Sequence, residues 1–366
     1  MKAIGGIASG PLPDPQLPPA ILVLLRMPKP LLALTLGDPA GVGPEVIAGA
    51  WPSDEIHRIC RPLVIGHPAI LRRAVELRRV PARVQVITAP EQADPAPNRI
   101  SCLAVGSDDV LAVPPCTVDA RAGQAAYDAL LCAARLAIER RIDAITTAPL
   151  HKAALWQAGH RYPGHTELLA ELCGVSDFAM MLYLPPDAQI RNPAGLGVVH
   201  VTLHTALRSV FAAITADAIE AKIRLADTVM RRLKRGPARI AVCALNPHAG
   251  ESGLFGDEEQ TTIAPAVERA RASGINVEGP FPTDTLMVRA RDGEFDGVVA
   301  MYHDQGHIAL KLLGMHRAVN VTLGLPIVRT SVAHGTAFDL AWQGRAEISS
   351  LIEAVRVAAG LAGEQG

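Results

Sequence analysis

An α/β fold built of α/β layers is predicted by three features of the chain. These are its length of 366 residues, its aliphatic composition, and a repeated alternation of short apolar runs with amphipathic stretches. The length suits two domains or one large α/β unit. Hydrophobic residues make up 49% and aromatics only 4%, so the core is built from aliphatic side chains and alanine, as in sheets covered on both faces.

Residues 1–30 differ from the rest. They are rich in Pro and Gly, as in PLPDPQLPP, and read as a disordered extension, with Met27 as a candidate initiator. Strand–turn–helix alternation starts at residue 31. Leu31–Leu36 is an apolar run ended by Gly37, and Leu63–Gly66 is a second, followed by a helix from about Pro68 to Val80. Over 123–141, Tyr127, Leu130, Leu131, Ala134 and Ile138 share one helical face, and strand Ile142–Thr146 follows directly. Phe178–Leu184, Leu196–Leu203, Arg239–Leu245, Gly297–Tyr302 and Val319–Leu323 read as further strands. Ile219, Ile223, Ala226, Met230 and Leu233 form a second helical stripe, and the Pro-rich stretches 90–97 and 113–115 read as loops. The expected division is an extension over 1–30, a first α/β domain of 31–150 plus 325–366, and a second of 151–324.

Lys and Arg number 35 against 36 Asp and Glu, which gives no electrostatic reason to expect nucleic acid or an anionic membrane as partner. No apolar run reaches the roughly 18 residues of a membrane span. Ala20–Leu36 comes nearest and is broken by Arg26, Pro28, Lys29 and Pro30, and the start lacks the pattern of a signal peptide. Six cysteines without a C-x-x-C pair read as free thiols in a reducing compartment, hence a cytoplasmic protein.

Of 12 histidines, ten lie at or beyond His151. His204, His248 and His303 each stand where a strand ends, the edge at which open α/β sheets bind ligands. Three imidazoles from three strand ends can converge on one divalent metal with positions left open for substrate. His200, within a strand, and His307 read as structural.

In residues 146–172, TTAPLHKAALWQAGHRYPGHTELLAEL, the pair His165-Thr166 sits at a helix N-terminus, where free N–H groups suit an anion. Lys152 is a candidate for proton transfer or anion binding. Lys311, Asn320 and Arg329 could hold phosphate or carboxylate, although spacing alone does not bring them together. Two glycine-containing turns remain, GDPAGVGPE at 37–45 and HGTAFDLAWQGRA at 334–346. In the second, Asp339 could hold a ribose hydroxyl.

Together these segments resemble the 4-hydroxythreonine-4-phosphate dehydrogenase (PdxA) family from about Leu32 to the C-terminus. The resemblance is carried by LTLGDPAGVGPEV, TAPLHK, YPGHTELLA, LNPHAGESGLFGDEE, GPFPTDTL, VVAMYHDQGHIALKLLG and VNVTLGLPIVRTS with HGTAFDLA, in that order. It implies a homodimer with the active site at the subunit interface, and a divalent cation held by His204, His248 and His303 and shared between partners. It implies substrate contacts from His165, Thr166, Lys311, Asn320 and Arg329. The HGTAFDLA turn is similar to the cofactor loop of isopropylmalate and isocitrate dehydrogenases, whose fold the family shares; this implies two α/β/α-layered domains around a cleft and adenosine-side NAD contacts from His334, Gly335, Thr336 and Asp339.

The implied reaction is NAD- and metal-dependent oxidation, with decarboxylation, of a 4-phosphorylated hydroxy acid. The first reading is 4-phosphohydroxy-L-threonine, giving 3-amino-2-oxopropyl phosphate for pyridoxal phosphate biosynthesis. The second is 4-phospho-D-threonate or 4-phospho-D-erythronate in sugar-acid catabolism, to whose enzymes AGHRYPGHTELLA and YHDQGHIALKLLG look closer. A third relative, acting on an aromatic cis-dihydrodiol dicarboxylate, lacks the intact GHTE. The cation is zinc, cobalt, manganese, nickel or magnesium. Asp339 favours NAD over NADP by repelling a 2′-phosphate. The general base stays open between Lys152, Asp304 and a metal-bound water. The competing classes are a metal-dependent phosphohydrolase, which usually wants several carboxylate ligands, and a non-catalytic phosphosugar-acid binding protein.

Overall fold

The computed structural model describes residues 29–363. The extension expected over 1–30 lies outside them but for Lys29 and Pro30, and Met27 lies outside them altogether. The fold is mixed α/β, as expected, and its strands join one sheet. In chain order these are β1 (Leu31–Thr35), β2 (Arg61–Gly66), β3 (Arg83–Ile87), β4 (Arg99–Ala104), β5 (Ala144–Thr147), β6 (Ala179–Leu184), β7 (Leu196–His200), β8 (Ile240–Cys243), β9 (Val277–Phe281), β10 (Gly297–Ala300), β11 (Val319–Leu323) and β12 (Val328–Val332). Across the sheet the order is β3-β4-β2-β1-β5-β12-β11-β6-β7-β10-β8-β9.

Strands from residues 31–147 and 328–332 therefore occupy one side and strands from 179–323 the other. Each side is internally parallel up to the seam. There β11 runs antiparallel to both β12 and β6, and β6 antiparallel to β7. β1, β5 and β11 lack an exposed residue, as their apolar runs require.

The strands that the apolar pattern does not announce have local reasons. β3 is an edge strand that is largely exposed, with only Ile87 buried, and β9 carries Gly279 and Pro280. β12, Val-Arg-Thr-Ser-Val, is fully buried despite three polar residues. Tertiary partners engage two of them: Thr330 Oγ1 donates to the Ala354 carbonyl, and Arg329 donates to Thr147 and Thr322.

Helices cover both faces. Helix Ala120–Ile138 is capped by Asp119, which accepts from Arg121 N–H, and buries an alanine-rich face. Helix Ala216–Lys234 is capped by Thr215 and buries Ile219, Ile223, Ala226 and Met230 of the expected stripe. Helix Ser349–Ala362 is buried on almost every side against β12 and β5. Each fully buried Leu or Ile in these layers contributes about 1.5–3 kcal/mol.

Candidate active site

A cavity of about 270 Å³ lies over the seam of the sheet. Its lining comes from β5, β6, β11 and β12, from the first turns of helices Lys152–Gln157 and His165–Leu172, and from helix His303–Gly314. Ten of the sequence-derived candidates line it. Lys152 approaches from the start of helix Lys152–Gln157, His165 and Thr166 from the start of helix His165–Leu172, and His204 from the loop after β7. His303 and Lys311 approach from helix His303–Gly314, and Asn320 and Arg329 from the two antiparallel strands at the seam. His334 and Gly335 close the remaining side.

Of the charged residues lining the cavity, Arg329 is the most deeply placed, at 3% exposure. One terminal nitrogen donates to Thr322 Oγ1 at 3.0 Å and the other to Thr147 Oγ1 at 2.6 Å, while Nε has no partner. No carboxylate pairs with it among the described residues' ion pairs, so a buried guanidinium faces the cavity with donor capacity to spare. Half-buried His165 is held well below the usual imidazole pKa by burial first, then by the charges of Arg329 and Lys152. It therefore stays neutral beside them.

His204 and His303 have ring centroids 5.8 Å apart on one wall. His204 is pushed below its ordinary pKa, mainly by burial and then by Lys152. Neutral imidazoles are the form that binds metal. Asp304 does not line the cavity; its Oδ1 lies 2.7 Å from His303 Nδ1. A carboxylate accepting from Nδ1–H fixes the tautomer and leaves Nε2 as a lone-pair donor. The neighbouring residues anchor this helix start. Gln305 donates to the Ala244 carbonyl and to Thr283, and accepts from Met301 N–H.

His248 is not on that wall. It sits in the segment Pro247–Gly253, exposed, with its ring 6.3 Å from Phe255. Among the described residues no three His, Cys, Asp or Glu side chains are grouped to hold a metal, so one chain does not gather the expected trio. The reason is local. His248, Ala249, Gly250, Glu251 and Ser252 all have positive φ, a left-handed turn that carries His248 away from its own cavity. Buried Glu259 holds the turn's entry, accepting from Leu245 N–H at 2.8 Å, Asn246 N–H at 2.7 Å and Asn246 Nδ2 at 3.0 Å. Four non-glycine residues in this region cost of order 1 kcal/mol each, and such strain concentrates at functional sites.

The 334–346 turn packs against the 37–45 turn. Val42 N–H donates to the Thr336 carbonyl, and Glu45 accepts from Trp342 and Gly344 N–H groups. Thr336 thus faces Gly41 and not the cavity, and Asp339 is exposed. Asp38, in the same place, is fully buried with Oδ2 unpartnered, and burial raises its carboxyl to about 6, with Asp119 adding to the rise.

His200 and His307 were expected to be structural. Only His307 departs from this: it lines the cavity, stacks on His303 with centroids 3.9 Å apart, and places Nδ1 3.1 Å from Nε2 of His200, which stays buried in its strand behind the wall. Burial, with neighbouring imidazoles adding, pushes His200 down to about 3 and His307 to about 4. The i, i+4 spacing of His303 and His307 was the available signal.

The family model described as pyridoxal phosphate biosynthetic protein PdxA matches residues 58–358. The D-threonate 4-phosphate dehydrogenase of Pectobacterium atrosepticum is 45% identical, over 91% of this chain and 99% of that protein. The 4-hydroxythreonine-4-phosphate dehydrogenase of Geobacter metallireducens is also 45% identical, over 92% and 97%. A crystal structure of 4-hydroxythreonine-4-phosphate dehydrogenase from Klebsiella pneumoniae superposes with a TM-score of 0.81 at 43% identity, covering 91% of this chain and all of that one.

Proposed function

The chain belongs to the PdxA family, and from that premise we propose that it is an NAD- and divalent-metal-dependent dehydrogenase of a four-carbon hydroxy acid carrying a terminal phosphate. D-threonate 4-phosphate and 4-hydroxythreonine 4-phosphate, the substrates in the relatives' names, both meet this description. The observation that carries the reading is a buried Arg329 with an unpartnered Nε, in one cavity with a pair of imidazoles, His204 and His303.

The donor set fits a shared metal. Two imidazoles face the cavity, and the third is displayed outward on a left-handed turn, available to a second copy. Each of the three segments also exposes large apolar side chains: Leu207 and Phe211 after His204, Leu254 and Phe255 after His248, Ile308 and Leu312 beyond His303. Apolar surface of this size suits burial in a homodimer whose interface contains the site.

When bound, the cation supplies Lewis-acid stabilisation of developing negative charge and the nicotinamide accepts the hydride. The protein's own groups do the positioning. Arg329, Lys311 and Asn320 take the substrate's anionic groups, with His165 and Thr166 closing on them. Asp304 orients His303 and is committed to it, which leaves Lys152 facing the cavity: its ammonium form would contact the substrate's anionic groups, and only its neutral amine could accept the hydroxyl proton. Oxidation at C3 yields a β-keto acid, whose C1–C2 bond then breaks with loss of CO2. His334 and Gly335 border the cavity on the side where the NAD adenosine loop, with Thr336 and Asp339, would lie.

We also assign residues 31–150 plus 325–366 and residues 151–324 to two domains meeting at the β12–β11 seam. No helix among the described residues is long and apolar enough to cross a membrane, and a cytoplasmic enzyme suits the free thiols. A phosphohydrolase fits less well, because Glu167 is the one carboxylate lining the cavity among the described residues. The test is NADH formation from each phosphorylated acid, with and without chelator. Metal-dependent NADH production supports the proposal; phosphate release without NADH would replace it.

A further inference from the structure

We propose that Glu45 is a positioning residue for NAD: it holds the far end of the 334–346 turn in the shape that meets the cofactor, without itself touching cofactor, substrate or metal. The inference rests on the reading of this turn as the NAD loop and deepens it.

Residues 333–348 form neither helix nor strand, so their N–H and C=O groups depend on partners elsewhere in the chain. The backbone is also left-handed in places, with φ of +44° at Ala337, +60° at Trp342 and +73° at Gly344. Three anchors hold it. Val42 N–H donates to the Thr336 carbonyl at 3.0 Å. Farther along, the carboxylate of Glu45, in the first turn of helix Gly43–Ala50 and 0% exposed, engages two N–H groups, one on each oxygen. Trp342 N–H donates to Oε1 at 3.1 Å and Gly344 N–H to Oε2 at 2.8 Å. Arg78 Nη1 donates from the other side to the carbonyls of Gly344 and Ala346, at 2.8 and 3.2 Å. Gly49, one turn after Glu45, leaves Arg78 room, since a Cβ there would stand 2.6 Å from its Nη2. The Trp342 indole is tied to the same neighbours: its N–H donates to the Pro39 carbonyl, and the Arg73 guanidinium lies over its ring.

The order of the anchors gives the effect its selectivity. His334 and Gly335, which line the cavity, follow β12 and precede the Thr336 contact, whereas Trp342 and Gly344 lie beyond it. Loss of the Glu45 contacts therefore frees residues 337–346, Asp339 among them, and leaves the cavity wall in place. A turn that holds its binding shape for only a fraction of the time weakens NAD binding in proportion to that fraction. A carboxylate suits the task because each oxygen accepts one N–H. An amide at position 45 would turn an NH2 group toward one of the two and lose that contact.

The test uses the full chain loaded with divalent metal. Calorimetry gives Kd for NAD, for the metal, and for 4-phospho-D-threonate and 4-phosphohydroxy-L-threonine, and amide hydrogen exchange follows residues 337–346. Glu45→Gln should raise Kd for NAD about tenfold, as for a turn ordered about one tenth of the time. Exchange over 337–346 should speed up, and Kd for the metal and for whichever acid the wild type binds should not change. Arg78→Met removes the opposite anchor but keeps a long side chain; it should shift NAD affinity in the same direction, and it decides by the same readings if the glutamine variant does not fold. A merely structural role would weaken all three ligands in parallel. That result, or an unchanged NAD affinity, would overturn the proposal while leaving a working dehydrogenase. A wild type that does not bind NAD would remove the dehydrogenase reading, and this positioning role with it.

Discussion

Replacing Asp304 by alanine should weaken divalent-metal binding without unfolding the protein. Its Oδ1 stands 2.7 Å from His303 Nδ1, a charge-assisted contact that sets both the ring's orientation and its tautomer. Loss of such a supporting carboxylate lowers metal affinity by about 10- to 100-fold. Here the Asp304 side chain is 70% exposed, so solvent screens its charge and the charge alone contributes toward the lower end of that range. Asp304→Asn keeps an acceptor oxygen and removes only the charge, so it should weaken binding less than alanine, by about tenfold. Zinc or cobalt titration by calorimetry measures both, with circular dichroism as the check on folding. Wild-type affinity in the alanine variant would show that His303 does not depend on Asp304 and would refute the reasoning.

Three further outcomes are expected. Arg329→Lys removes the two-nitrogen fork that now meets Thr147 and Thr322, so KM for the phosphorylated acid should rise at least about tenfold with kcat less affected, by steady-state kinetics. The Asp38 carboxyl is raised from 3.8 to about 6 by burial, so the folded state keeps a proton that the unfolded chain releases near pH 4. Stability should therefore fall as pH rises between about 4 and 6, by up to about 3 kcal/mol, and remain lowered above that window. Asp38→Asn should raise Tm at pH 8 and not at pH 4, and an equal shift at both would contradict the burial argument. Gly250→Ala places a Cβ 2.7 Å from Glu259 Oε2 and 2.9 Å from the Gly256 carbonyl at φ +77°, so it should destabilise the His248 turn by about 1–2 kcal/mol and weaken metal binding, read by thermal melts and metal titration.

The layered α/β class and most strands are legible in the sequence because each apolar run is ended by a glycine or a polar turn. β12 is not, because its polar residues are buried, with Arg329 and Thr330 held by partners far along the chain. The antiparallel pairing of β11 and β6 is equally invisible, since a buried strand has the same composition in either direction. Site residues were legible as strand-end histidines and motif positions. Asp304 as the support of His303 was not, because adjacency in sequence does not say which way a carboxylate turns. His307 was passed over because a single histidine is more often a hydrogen-bonded structural residue, and only the closeness of the helix at Gly306 joins it to His200. The resemblance implies that the three histidines are shared between partners, but the left-handed turn that carries His248 outward is not legible in the sequence. Four of its five residues are not glycine, so nothing local announces it.

Sharing of the metal between subunits is tested most directly by mixing two inactive variants, His248→Ala and His204→Ala, and allowing the subunits to exchange. A hybrid dimer then holds one site with His204 and His303 from one chain and His248 from the other, all intact, and one site with both defects. Random pairing should restore about one quarter of wild-type turnover, because half of the dimers are hybrids and each has one working site. Activity no higher than that of the separate variants would contradict the account, as would a His248→Ala protein that alone binds metal like the wild type.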